Sequence, residues 1–226
     1  MGIGYIVLIA IIGLVGFLVQ NQLRSKFHKY GQVGLSSGMT GYQVAMNMLN
    51  HYGIRDVQVV QGEGFLSDHY NPQSKTVSLS PEVYNGRSVA AASVAAHECG
   101  HAVQHDTSYS MLKLRSALVP VVKIAAVAQQ WGFLAAMFLL GSFPQLLLIV
   151  IIAMAITTLF SIITLPVEFD ASRRALVWLD NTGTTRGVEY DYAKDSLKWA
   201  AMTYLVAALS SVAMLIYFIL SYFGRE

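Results

Sequence analysis

SVAAASVAAHECGHAVQ, residues 88 to 104, reads as one alanine-rich helix. In a helix, positions four apart share a face, so His97 and His101 stand one above the other, with Glu98 beside them. An i, i+4 pair of imidazoles brings two ring nitrogens to tetrahedral distance around one Zn²⁺. The intervening glutamate projects to where a water beside the metal would sit. The pattern is HExxH, and the spacing nominates His97 and His101 as metal ligands and Glu98 as a general base. The bland alternative, two helical histidines satisfied by surface hydrogen bonds, leaves the position of Glu98 unexplained. Cys99 is the chain's single cysteine. It has no intramolecular disulfide partner, and mid-helix it reads as a small packing residue.

The setting for this chemistry is apolar. Hydrophobic residues make up 54% of the 226 and charged residues 12%, which points to an integral membrane protein rather than a soluble domain. Four stretches are candidates to span a bilayer: Ile3 to Val19, Val119 to Leu140 with Lys123 near its start, Gln145 to Leu165, and Trp199 to Phe223. Gly141-Ser142-Phe143-Pro144 makes the second and third a helical hairpin. The first stretch lacks a basic leader and a small-x-small cleavage site, so it reads as a retained anchor. Eight of the fifteen Lys and Arg fall between residues 20 and 118, five between 166 and 198, and none in 141 to 144. The positive-inside rule puts both polar segments in the cytoplasm. The expected organisation is therefore an anchor (1–20), a cytoplasmic segment with the HExxH helix (21–118), a membrane hairpin (119–165), a second cytoplasmic segment (166–198) and a last span with a short tail (199–226).

A catalytic zinc needs a third protein ligand and one open position. Topology confines the third ligand to the same side of the membrane, where Pro166-Val167-Glu168-Phe169-Asp170-Ala171-Ser172-Arg173-Arg174 follows the third span. Glu168 is the choice, on the opening turn of a helix that emerges from the membrane, and Asp170 is its rival on a different face. One acid should bind metal, and the other should orient a histidine or pair with Arg173 or Arg174. His105 continues the histidine stripe but lies a full turn beyond. Upstream, Thr40 caps a helix running to about His51, and extended runs at Asp56 to Val60, Phe65 to Tyr70 and Lys75 to Ser80 suggest a small sheet. Its edge would receive a polypeptide as an added strand, with a purely structural sheet as the equal alternative.

Ser37-Gly38-Met39-Thr40-Gly41, Leu66-Ser67-Asp68-His69-Tyr70-Asn71-Pro72, Ala95 to Gln104 and Pro166 to Arg174 together resemble the YugP-type neutral zinc metallopeptidases of bacterial membranes. The similarity covers nearly the whole chain. HExxH with a downstream glutamate also resembles the wider gluzincin group of HtpX and the CAAX-prenyl endopeptidases. There the ligand glutamate lies in a stretch similar to E-F-x-A-D, which favours Glu168 over Asp170. Ser172 stands where that group has aspartate.

The expectation is a mainly α membrane protein with four transmembrane helices, a gluzincin-like zinc helix and a small β-sheet on one side. It would be a multi-pass metalloendopeptidase of the cell membrane with its site facing the cytoplasm. One zinc would be held by His97, His101 and Glu168, polarising the substrate carbonyl while Glu98 handles the proton. His69, Tyr190 and Tyr192 are candidate oxyanion donors. The partners implied are a polypeptide substrate, unfolded or membrane-borne, and the bilayer, with room for a regulatory membrane partner or an oligomer. Membrane protein quality control or processing is the implied setting. A scaffold with a structural or inactive metal site is the alternative, but no Cys or His stands ready as a fourth ligand. A net charge of +2 without a basic patch argues against nucleic acid. Intramembrane cleavage would need HExxH on a membrane span, and the spans hold too few ionisable residues for a carrier or channel.

Overall fold

The computed structural model describes residues 3–64, 66–139 and 145–224. The expected hairpin turn 141–144, Phe65 at the start of one extended run, and the tail residues Arg225 and Glu226 lie outside the described residues. The chain is mainly helical with one small sheet. Among the described residues, three helices are long and apolar enough to cross a membrane: α1 (Ile3–Gly31), α6 (Gln145–Asn181) and α7 (Val188–Phe223). The second expected span falls in α5 (Ser110–Leu139). The side chains of 136–140 lie outside the described residues; among the described residues three helices, and not four, have the length and composition of a span.

Each long helix outlasts its apolar stretch. α1 continues beyond Val19 through Arg24, Lys26 and Lys29. It is tied to α7 by Lys26–Asp195 (2.7 Å) and by the Tyr30 hydroxyl donating to Asp195 (2.5 Å). α6 runs unbroken through Pro166. Glu168 is therefore mid-helix, and not on the opening turn of a new helix as the sequence suggests. Proline removes one backbone hydrogen bond, but long apolar helices packed among neighbours absorb that loss, and α5 does the same at Pro120.

The polar part is built around α4 (Val89–Asp106). Ser88 caps it, its hydroxyl accepting from Ala91 N at 3.2 Å. α2 (Gly41–His51) opens with a reciprocal capping box between Thr40 and Gln43. The sheet has strand order β1-β3-β2: β1 (Gln58–Gln61) lies parallel to β3 (Thr76–Leu79), and β2 (His69–Asn71) pairs antiparallel on its other side. β2 is thus an edge strand. A short α3 (Pro81–Tyr84) leads from the sheet back towards α4.

Buried Met48, Leu49, Val77, Leu79, Trp178 and Leu179 join α2, the sheet, α4 and the polar end of α6 in one core. The alanines of α4 let its neighbours approach closely. At Gly100 that approach is extreme, since a Cβ there would stand 2.6 Å from the Ala171 carbonyl oxygen of α6. Glycine at the second x of HExxH is what brings the His97/His101 turn against the Glu168 turn.

Candidate metal centre

The histidine face of α4 meets α6 at Glu168. Nε2 of His97 lies 3.4 Å, and Nε2 of His101 3.5 Å, from the same oxygen, Oε2 of Glu168. All three donors fall within 4.8 Å of one another, and they are the one such His/Cys/Asp/Glu group among the described residues. These separations are too long for good hydrogen bonds. They match a metal, because ligand atoms 2.0–2.1 Å from a tetrahedral zinc lie roughly 3.3–3.4 Å from each other. Glu168 is only 2% exposed, and its Oε2 has no hydrogen-bond partner. A buried carboxylate oxygen facing two ring nitrogens, without a hydrogen bond, is costly unless a cation shares the space. The donor set, two imidazoles and one carboxylate, is a set that suits Zn²⁺.

The ring orientations have identifiable causes. Gln104 is fully buried one turn beyond His101. Its Nε2 donates to the Val167 carbonyl (2.8 Å) and to Asp170 Oδ2 (2.9 Å). Both partners only accept, so the amide cannot be flipped, and its Oε1 faces His101 Nδ1 at 3.0 Å. Nδ1 must then carry the proton, which leaves the Nε2 lone pair aimed at Glu168. Asp170 is itself held by Arg173 (2.6 Å) and Arg174 (2.5 Å). For the other ring, Ser172 Oγ lies 3.1 Å from His97 Nδ1. Glu168 joins the donor cluster, Asp170 reaches His101 through Gln104, and Ser172 contacts His97 directly. Replacing Gln104 with leucine removes the anchor of His101 while leaving all three donors in place. Zinc affinity should fall about 10–100-fold, measured by competition with a chromophoric chelator, and Gln104→Glu should not recover it, because its second oxygen would face the Val167 carbonyl and Asp170, which only accept.

Glu98 is buried on the same turn. Burial pushes its carboxyl above the usual glutamate range, against the opposing pull of His97 and His101. Burial lowers the tendency of His101 to protonate, but the Glu168 carboxylate outweighs it and raises the imidazole. Cys99 turns away into the core, its Sγ 3.6 Å from the Ala45 carbonyl, and burial pushes its thiol up, which removes it as a thiolate ligand. His105 is also outside the cluster, its Nδ1 2.8 Å from the Tyr70 hydroxyl.

Two cavities flank the centre. The polar one, about 130 Å³, is bounded by Glu98, His101 and Glu168 together with Asp68, Arg115 and Tyr204. The other, about 240 Å³, adjoins it, sharing Asp68, Glu98 and Tyr204 and reaching His97. Of the three donor candidates named from sequence, His69 lines the polar cavity. Tyr192 instead stacks on Tyr30 with ring centroids 4.8 Å apart, and Tyr190 lines neither cavity. Sequence reasoning missed Arg115, whose Nη2 is 3.9 Å from Glu168 Oε1, and Tyr204, which faces Glu168 and borders both cavities. Neither carries a motif; both come from helices whose neighbours are apolar. Gln104 had a signal, three residues after His101 on the same helical face.

A helical, membrane-type chain with two histidines and a buried glutamate converging on one point has the build of a membrane metallopeptidase. The chain matches the family described as "Putative neutral zinc metallopeptidase" over residues 5–223, and it belongs to that family. It is 43% identical over 219 residues to the "Putative membrane protease YugP" of Bacillus subtilis (strain 168), a match covering 96% of each chain. No solved structure matches it.

Proposed function

We propose that this chain is a membrane-anchored zinc metalloendopeptidase of the gluzincin type, hydrolysing internal peptide bonds of polypeptides, with His97, His101 and Glu168 as the zinc ligands and Glu98 as the general base. The observation that carries this reading is the buried, hydrogen-bond-free Oε2 of Glu168 facing two Nε2 atoms at 3.4 and 3.5 Å, with a carboxylate on the adjacent turn position. A zinc ion held there supplies Lewis-acid polarisation of the scissile carbonyl and makes a neighbouring water acidic enough to lose a proton near neutral pH.

Glu98 receives that proton and delivers it to the departing amine nitrogen, closing the proton cycle on one side chain. Arg115 and Tyr204, which line the polar cavity beside Glu168, are the donors best placed for the negative charge that develops on the carbonyl oxygen. The free edge of β2 borders the same cavity through His69 and Tyr70. A substrate strand laid on it would bring its backbone past Glu98. The proposed location is the cell membrane, with several spans including one in α5 and with the site on the cytoplasmic side, where Lys and Arg concentrate. Processing or clearance of membrane and unfolded proteins is the corresponding role, under whatever regulatory partner or oligomer the membrane provides.

The raised Glu98 carboxyl sets the pH dependence. A general base works deprotonated, so cleavage should be lost as pH falls through the Glu98 pKa, and the acidic limb of kcat/KM should lie above the ordinary glutamate range. Glu98→Asp should move that limb, whereas substitutions in the core should not. Hydrolysis itself is tested by digesting an unfolded protein in H₂¹⁸O. The reading expects internal cuts whose new C-termini carry ¹⁸O; fragments absent from a zinc-loaded sample would favour the scaffold alternative.

A further inference from the structure

The larger cavity shares Asp68, Glu98 and Tyr204 with the polar one but presents more apolar than polar surface. Leu23 and Phe27 come from α1, Leu66 from the loop before β2, Val94 from α4, and Leu197 and Ala200 from α7, and His97 lines it too. Its volume, about 240 Å³, is below the roughly 300–1,000 Å³ of sites that enclose whole small-molecule ligands. It is space for one large side chain. An apolar recess touching both a donor histidine and the proposed base has a defined place along any chain lying over the centre: it faces the residue next to the bond at the metal.

The level of this recess is also defined. α1 leaves its apolar stretch after Val19 and lines the recess from Gln20 to Phe27, while α7 lines it from Ser196 to Tyr204, where its own apolar stretch begins at Trp199. Glu168 follows the α6 apolar stretch by three residues. Three helices therefore change from apolar to polar at the height of the donor cluster. If these helices span the bilayer, the centre lies at its surface, and a side chain leaving the recess between α1 and α7 points along the apolar ends of both.

We infer that this recess is the specificity pocket of the peptidase, taking a large apolar side chain adjacent to the scissile bond of a polypeptide segment held at the bilayer surface. The inference rests on the peptidase reading and adds to it the residue that is selected and the helices that select it. Burying a leucine or phenylalanine side chain in place of an aspartate favours binding by roughly tenfold or more.

The test separates binding from catalysis. Full-length Glu98→Gln in lipid nanodiscs, with zinc supplied, is titrated with four fluorescent peptides that differ only in one residue: leucine, alanine, aspartate or lysine. The leucine peptide should bind at least about tenfold tighter than the aspartate peptide. Ala200→Phe, which fills the recess, should abolish the difference. Leu23→Glu should reverse it towards a lysine peptide, a gain that misfolded protein cannot give. Equal binding of all peptides overturns the inference, as does a preference that survives both variants. So does a preference seen only when long-chain phospholipid is withheld, which would assign the recess to an acyl chain. If the preference is present but the zinc-loaded wild type cuts nothing, the recess stands as a peptide-binding pocket, and the peptidase reading and the scissile-bond assignment fail together. Cleavage without preference leaves the peptidase reading standing and overturns the pocket.

Discussion

Glu98→Gln should keep zinc at wild-type stoichiometry and lose about 10²–10⁴-fold in cleavage rate. The substitution keeps the shape of a side chain that is almost wholly buried, so packing on α4 is preserved. What changes is basicity: an amide cannot take a proton from water or return one to the leaving nitrogen. Glu98 is not among the three clustered donors, so zinc binding should not follow activity down. Because burial penalises the charged carboxylate, the neutral glutamine should leave the metal-free protein as stable as the wild type at low pH and more stable once pH rises above the Glu98 pKa, where the wild type carries the buried charge. Metal analysis and peptide hydrolysis on one preparation check both halves.

Glu168→Ala should have the larger effect on the metal, lowering zinc affinity by more than about 100-fold and taking cleavage to background. Outer partners of a ligand cost roughly 10–100-fold when lost, and the ligand itself should cost more. Removing the carboxylate leaves two imidazoles and no anionic donor, with Arg115 3.9 Å from the vacated oxygen position and uncompensated. Glu168→Gln separates charge from size, since it fills the space but offers a neutral oxygen. Asp170→Ala is the informative control. Asp170 accepts from Gln104, Arg173 and Arg174, so its loss should loosen His101 and weaken zinc binding without abolishing it.

How much of this can be read in the chain depends on how far apart the interacting residues lie. His97, Glu98 and His101 are related by one helical turn, a spacing that sequence carries directly. Glu168 is reachable because a ligand has to come from the same side of the membrane, and few acids qualify. Its local setting is harder to read. Pro166 looks like a boundary, yet α6 passes through it because an apolar helix packed on α5 and α7 holds together without one backbone bond. Ser172 is visible as a departure from a familiar pattern, but its contact with His97 is not. Arg115 and Tyr204 reach the site from helices read only as spans, and no local rule connects them with residue 97 or 168. The sheet follows from alternation, whereas the order β1-β3-β2, which leaves β2 at the edge beside the centre, is a tertiary fact. The close approach at Gly100 belongs to the same class, since a glycine inside HExxH gives no hint of the Ala171 carbonyl it accommodates.

The most direct test is to strip the full-length, detergent-purified protein of metal and return zinc stepwise, following cleavage of an unfolded polypeptide and bound zinc in the same samples. The account predicts that cleavage rises in proportion to bound zinc and saturates at one ion per chain. A chain that binds one zinc and cuts no polypeptide, or that cuts equally well without it, would contradict the account.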